Sequence, residues 1–425
     1  MSAGREPFSR ELNLKKFSNK ELLTVIMAGG RGERLYPLTK ERSKPAVPFG
    51  GGYRIIDFTL SNCLNSGLRR IKLLSQYMSH SLERHLKEGW SIYCNELDEY
   101  IDSVTPQHQF AEKWYHGTAD AFFQNIYLLE KLHPRYVLIL SGDHVYKMNY
   151  EDMINFHVEK DADLTVAAVE VECPRAAGKL GVLQVDSTWR VVDFEEKPDD
   201  PKPVPSRPGY SLVSMGIYIF NTENLVRNVV ADAKQDTSHD FGRDVIPAMI
   251  PRERIYAFNF VDPTGGDILY WRDIGTIESY YEASMDLLST SPRFDLYDPQ
   301  WPVRTYMGQY PPAKLIGTGD EENGKKKFGR AKNSIISPGC IIDGAKVSNC
   351  VLSPGVYVGP NAVVEDSVIM HRTRIGERCR VRRAVIDQDV HLGPGCTVGF
   401  NPADDKRNFL LSETGLVLIP KGYKL

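Results

Sequence analysis

No apolar run in this chain has the length of a membrane span. Stretches such as Tyr136–Leu140 are strand-sized, far short of the roughly 18 residues a bilayer demands. Neither sign of charge dominates: a net charge of −3 over 425 residues leaves no electrostatic footprint for nucleic acid or an anionic membrane. Cysteine is sparse, with seven residues scattered from Cys63 to Cys396 and no C-x-x-C pair. An odd, dispersed set fits reduced thiols in a cytoplasmic protein better than a disulfide framework or a zinc site. Residues 1–20 mix charges without a hydrophobic core segment, so they read as an N-terminal extension and not as a signal peptide.

What is present is an ordinary globular composition, 42% hydrophobic and 25% charged, in a chain too long for one core. Two periodicities divide it. From residue 21 to 290, apolar strands (Leu23–Met27, Arg70–Ser75, Tyr136–Leu140, Leu164–Val171, Arg190–Phe194) alternate with helical segments. That alternation predicts an α/β domain with a Rossmann-like, mostly parallel sheet. Asp120–Leu132 reads as one helix with Thr118 as its N-cap, and Pro201–Gly209, with four prolines, as a surface loop near the site entrance. Residues 291–332 read as an inter-domain linker. Beyond it, Val347, Val364, Val381 and Val398 recur every 17 residues, as do Leu352, Ile369 and Ile386, and Gly359, Gly376 and Gly393. Columns in one phase predict a parallel β-helix of the left-handed hexapeptide type over 333–425. The column Ala345, Ala362, Cys379, Cys396 then belongs to the coil interior.

The first strand runs into Gly29-Gly30-Arg31-Gly32-Glu33-Arg34-Leu35, with Lys44-Pro45-Ala46 close behind. Glycines that admit close backbone approach, followed by fixed cations, describe a polyphosphate cradle. It is neither a Walker A loop nor a regular dinucleotide fingerprint. Ligands of open α/β sheets bind beyond the carboxyl ends of strands, and Tyr136–Leu140 leads there into Ser141-Gly142-Asp143-His144. A second aspartate, Asp273, lies in Tyr270-Trp271-Arg272-Asp273. Two carboxylates beside a phosphate loop suggest Mg2+, and this reading is preferred over a turn cap, the lesser alternative for Asp143 taken alone. Glu196-Lys197-Pro198 reads either as an exposed ion pair or as a sugar-phosphate contact. His116 reads as a rim residue.

These motifs resemble the sugar nucleotidyltransferases. More narrowly, Tyr53 to Phe58, Ser61 to Gly67, Gln76-Tyr77, Trp114 to Asp120, Ser141 to Tyr150, Glu196-Lys197-Pro198, Ser214 to Tyr218, Asp240-Phe241-Gly242 and Tyr270 to Thr276 are similar to the family of bacterial glucose-1-phosphate adenylyltransferases. The resemblance implies adenylyl transfer from ATP to glucose 1-phosphate, giving ADP-glucose and pyrophosphate. It implies that Gly29, Gly30, Gly32, Arg34 and Lys44 hold the phosphates, Gln76 and Trp114 the adenine end, and Asp143 and Asp273 magnesium. Tyr115, Gly181, Glu196, Lys197, Ser214, Tyr218, Asp240 and Trp271 would surround glucose 1-phosphate. It further implies a homotetramer controlled by anionic metabolites bound where the domains meet.

For such effectors the candidates are Arg42, Arg54 and Lys131, with Arg382 and Arg383 from the run Arg378, Arg380, Arg382, Arg383; that run reads equally as a solvated face. Two departures from the family pattern narrow the regulation. Glu41 stands where many enterobacterial-type members carry a basic residue, and no cysteine precedes Cys63 for redox control of the plant type. Thymidylyl or guanylyl transfer remains an alternative activity. A non-catalytic regulatory subunit is another, against which stands the retention of Lys44, Asp143 and Asp273.

Overall fold

Leu22–Ala28 is buried along nearly its whole length because alternate residues face two apolar layers. Leu22, Ile26 and Ala28 pack with Leu138 and Leu140 on one side, and Leu23 and Val25 with Val137 and Ile139 on the other. A strand covered on both faces belongs in the middle of a sheet. The computed structural model describes residues 19–106, 114–262, 266–322 and 325–425, so most of the expected N-terminal extension lies outside the described residues.

The main sheet contains β1 (Leu22–Ala28), β2 (Arg70–Ser75), β3 (Tyr100–Val104), β4 (Tyr136–Ser141), β5 (Leu164–Glu172), β6 (Gly181–Val185), β7 (Val191–Glu196), β8 (Tyr210–Asn221) and β9 (Ile255–Asn259). Their order is β7-β6-β8-β4-β1-β2-β3, with β5 on β8 and β9 on β5. The block β4-β1-β2-β3 is parallel, and the long β8 joins it antiparallel to β4. Within that block Met27 lies opposite Ser141, and the Gly142 N–H donates to the Met27 carbonyl at 3.0 Å. The glycine loop after β1 and the Asp143 turn after β4 therefore leave the sheet side by side.

The single helix expected over Asp120–Leu132 is two, Thr118–Phe123 and Ile126–Leu132, broken at Gln124-Asn125. The break has a local cause: the Asn125 amide donates to the Ala121 carbonyl and to the Tyr115 hydroxyl, tying the chain down there. Thr118 is not the N-cap, a place taken by Gly117. Its hydroxyl instead accepts from the Phe241 N–H and donates to Asp240.

The segment read as linker is strapped to the helix Ile55–Asn65. Trp301 donates to Asn62, the Arg304 N–H to Ser61, and Thr305 to Asp57. Its distal part is already β-helix, since Lys314–Ile316 pairs in parallel with Ile341–Asp343, and Arg330–Lys332 with Lys346–Ser348.

From there the coils stack as the 17-residue columns require. Val347, Val364, Val381 and Val398 sit one above another, as do Leu352, Ile369 and Ile386, all at 2% exposure or less. Gly376 marks the tight corner: a β-carbon there would lie 2.7 Å from the Leu392 carbonyl of the next coil. Cys379 is buried and Cys396 half-buried, and burial pushes the Cys396 thiol up to about 11.

One apolar column faces outward. Val351, Val368 and Val385 pack with Leu35, Val47, Phe49, Phe58 and Tyr280 of the sheet domain in one cluster. The two domains thus share a core, and the back of the glycine loop is part of it. Among the described residues no helix is long and apolar enough to cross a membrane.

Candidate active site

The two aspartates meet through a small ladder. His144–Tyr146 pairs antiparallel with Trp271–Asp273, placing Asp273 opposite His144. Between the carboxylates sits the Lys44 ammonium, 2.6 Å from Asp143 Oδ2 and 2.9 Å from Asp273 Oδ1. Lys44 arrives there because Gly32 folds the loop back. Gly32 has φ +63°, and a β-carbon on it would come within 3.2 Å of Lys44 Cβ and 3.0 Å of the Thr39 methyl. Thr39 also donates to the Gly32 carbonyl at 2.9 Å. Gly30 faces open space, and Gly29 backs onto Gln76.

Burial disfavours the Lys44 charge, but Asp143 and Asp273 outweigh it and raise its pKa. Burial likewise pushes Asp143 up, and Lys44, His144 and the Ser141 hydroxyl override it, holding the carboxyl well below its usual range. Both partners of this pair are therefore ionised at neutral pH. His144 Nε2 lies 3.4 Å from Asp143 and 3.8 Å from Asp273, and its ring meets Trp271 edge-to-face at 5.2 Å. Arg34 is exposed at the rim, its guanidinium 3.5 Å from where a β-carbon of Gly275 would stand, beside Asp273. A cavity of about 1330 Å³ opens from Arg34, Trp271 and Asp273 toward Asn349 and Asp366 of the β-helix.

A second group of expected residues gathers at the other end of the sheet edge. Glu196 lies opposite Gly181 in the β7–β6 ladder and pairs with Lys197 at 2.8 Å. Tyr218 and Ser214 approach at 3.4 Å, and burial pushes the Tyr218 phenol up, so it stays a neutral donor. Asp240 is largely committed to local structure: it accepts from Gly242 and Arg243 N–H and from Thr118. Gln76 clamps Tyr115, accepting from its N–H at 2.7 Å and donating to its carbonyl at 3.5 Å. Trp114 is 57% exposed.

The expected effector residues are not all brought together. Arg42 is buried in an ion pair with Asp387 of the β-helix, whose side chain has no exposure. Arg54 donates to Ser81, and burial brings its pKa down to about 10. His371 is half-buried near Arg372, Arg54 and Arg42. Lys131, by contrast, is exposed on Ile126–Leu132. Arg380 and Arg382 stack on Phe400, and Arg383 reaches the Thr414 carbonyl. Among the described residues no contact joins Lys131, Arg382 or Arg383 to the Arg42 pair. Sequence reading missed Asp387, His371 and Arg372, and gave His144 and Ser141 no role although both stand in the quoted motif.

A sheet with a glycine loop and paired aspartates beyond its parallel strands, followed by a hexapeptide β-helix, defines a nucleotidyltransferase. The nucleotidyl transferase family model matches residues 23–290, and the GlmU-like C-terminal hexapeptide model matches 311–419. The glucose-1-phosphate adenylyltransferase of Koribacter versatilis is 47% identical over 408 residues, covering 95% of this chain and 96% of that protein. That of Rhodopirellula baltica is 48% identical, covering 95% and 90%, and glucose-1-phosphate adenylyltransferase 2 of Vibrio cholerae is 46% identical, covering 95% and 99%. The chain belongs to the glucose-1-phosphate adenylyltransferase family.

Proposed function

We propose that this chain transfers the adenylyl group of ATP to α-D-glucose 1-phosphate, releasing pyrophosphate and supplying ADP-glucose as glucosyl donor for glycogen synthesis. The observation that carries it is the Lys44 ammonium held between Asp143 and Asp273 beside the glycine loop, in a chain of this family. A phosphate oxygen of the sugar phosphate attacks the α-phosphorus of ATP in line. The bond to the β-phosphate breaks, and its electron pair leaves with pyrophosphate. The nucleophile is already anionic, so no general base is called for.

Gly29, Gly30, Gly32, Arg34 and Lys44 hold the triphosphate, and Arg34 and Lys44 offset the charge that accumulates on it. Gln76 and Trp114 flank the adenine. Tyr115, Gly181, Glu196, Lys197, Ser214, Tyr218, Asp240 and Trp271 form the sugar-phosphate end. The donors of Asp143 and Asp273 are hard carboxylate oxygens that already converge on a cation, which suits Mg2+. Magnesium there supplies charge neutralisation at the phosphates. Measuring pyrophosphate release with four nucleoside triphosphates and several sugar phosphates tests the assignment. ATP with glucose 1-phosphate is expected to be the preferred pair, and a clear preference for dTTP or GTP would overturn it.

Regulation belongs to the same proposal. A phosphorylated metabolite is read at the domain junction, on the Arg42 and Arg54 side, in a cytoplasmic homotetramer. Support comes from the buried Arg42–Asp387 pair and from the core that joins the β-helix to the back of the glycine loop. The division of labour in this reading is 21–290 catalytic, 291–313 connecting, and the β-helix from Lys314 onward for assembly and regulation.

A further inference from the structure

Gly242 is buried within the helical turn Phe241–Val245, and its φ is not positive. Nothing in its backbone calls for glycine there, and alanine is the better helix former. What calls for it is space. A β-carbon on Gly242 would stand 2.7 Å from Glu196 Oε2, 3.3 Å from Glu196 Cδ and 3.4 Å from Asp240 Oδ1. Gly181 faces the same oxygen from β6, where a β-carbon would come within 2.8 Å. Oε2 is thus seated between two bare α-carbons while Oε1 is paired with Lys197 at 2.8 Å. Among the described residues no donor reaches Oε2, which leaves it for a hydroxyl of a bound sugar.

We infer that Gly242 is a specificity-determining positioning residue, whose missing side chain lets the Glu196 carboxylate occupy the place from which it accepts a sugar hydroxyl. The inference rests on the reading of Glu196 as a sugar-phosphate contact. A methyl group at 242 meets the far end of a flexible side chain and no backbone atom in that contact. The carboxylate therefore swings to another rotamer and the fold is kept. Gly181 differs, because its β-carbon would also press on the Phe194 ring at 2.7 Å, inside an apolar cluster. Substitution there is expected to lower the melting temperature, and substitution at 242 is not.

The test compares Gly242→Ala, Glu196→Gln and the double variant in KM for glucose 1-phosphate, KM for ATP, kcat and melting temperature. Gly242→Ala is expected to raise the glucose 1-phosphate KM at least tenfold. The ATP KM and kcat should stay within about threefold, and the melting temperature should match the parent. The double variant is expected to be no worse than Glu196→Gln alone, because both changes remove one interaction. An unchanged glucose 1-phosphate KM in Gly242→Ala, or effects that multiply in the double variant, would overturn the inference. If Glu196→Gln itself leaves that KM unchanged, the role of Glu196 fails first, and the dependence of Gly242 on it fails with it. A lowered melting temperature with both KM values raised would assign Gly242 to packing and overturn the inference as well.

Discussion

Arg42 and Lys44 stand two residues apart, both buried, both against aspartate, and they face opposite ways. Lys44 faces the candidate active site and has two carboxylates, Asp143 and Asp273. Arg42 looks into the β-helix and has one, Asp387. The difference is one of charge balance. The Arg42 pair sets one cation against one anion and is closed off from solvent. At Lys44 one cation stands between two anions with Arg34 nearby, an arrangement that a polyphosphate and a divalent cation can enter by replacing the internal contacts. One end of this short segment ties the two domains together, and the other stands in the candidate active site.

The largest expected effect breaks the open end. Asp143→Asn and Asp273→Asn should each reduce turnover by on the order of 10³-fold, several kcal/mol of transition-state stabilisation, while the melting temperature changes little. Pyrophosphate release together with a thermal melt checks this. Near-parental rates in both variants would remove the aspartates from the reaction.

The closed end should answer in stability. Asp387→Ala leaves the Arg42 guanidinium buried without its partner, at a cost of about 3–5 kcal/mol in denaturant unfolding. Replacing both residues together, Arg42→Met with Asp387→Leu, should recover most of that loss, because the penalty lies in the orphaned charge. If the double variant is as unstable as the single, the pair is a net contributor and the comparison with Lys44 needs revision.

The same contrast explains what could be read in advance. The β-helix columns were legible because each coil repeats one environment, so Val347, Val364 and Val381 report the same interior three times. The outward column Val351, Val368, Val385 has the same period, but an outward valine looks like an inward one until the sheet domain is set against it. The glycine loop and the Asp143 turn were legible because strand, glycine and charge lie together in sequence. That Asp273 joins them depends on a ladder between distant strands, which no local pattern encodes. Arg42 was read as a ligand for anions. Its partner lies 345 residues away, and a basic residue near a phosphate loop offers no sign of which way it points. The split of Asp120–Leu132 escaped for a similar reason, since Asn125 is unremarkable in a helical pattern until Tyr115 supplies its partner.

A smaller effect sharpens the junction through pH. Burial, then Arg372, Arg54 and Arg42, push His371 down to about 3, against an ordinary value of about 6.5, and Asp389 pulls weakly the other way. Its folded-state pKa is depressed, so the stability it contributes is fully present above pH 6.5 and is lost as pH falls toward 3. The slope from this group is at most about 1.4 kcal/mol per pH unit. His371→Gln should flatten the decline in unfolding free energy between pH 6.5 and pH 4. An unchanged slope would mean that the imidazole takes its proton without leaving the junction.

The smallest effect separates two arginines that sequence reading grouped together. Arg382 is exposed and stacks on Phe400, so Arg382→Ala should leave basal turnover and melting temperature where they are. Its chain neighbour Val381 fills the coil, and the 17-residue register stands without the arginine. Arg42 is tied to the β-helix two residues before Lys44, so Arg42→Ala should change the response to phosphorylated metabolites. Titrating sugar bisphosphates and nucleoside monophosphates against pyrophosphate release, in both variants, reads the difference. A response altered in Arg42→Ala and kept in Arg382→Ala places effector reading at the junction. The reverse result moves it to the outer face of the β-helix, where Arg378, Arg380 and Arg382 are exposed. An identical response in both variants would leave the Arg42–Asp387 pair with a purely structural part, and the contrast with Lys44 would then be one of architecture against chemistry alone.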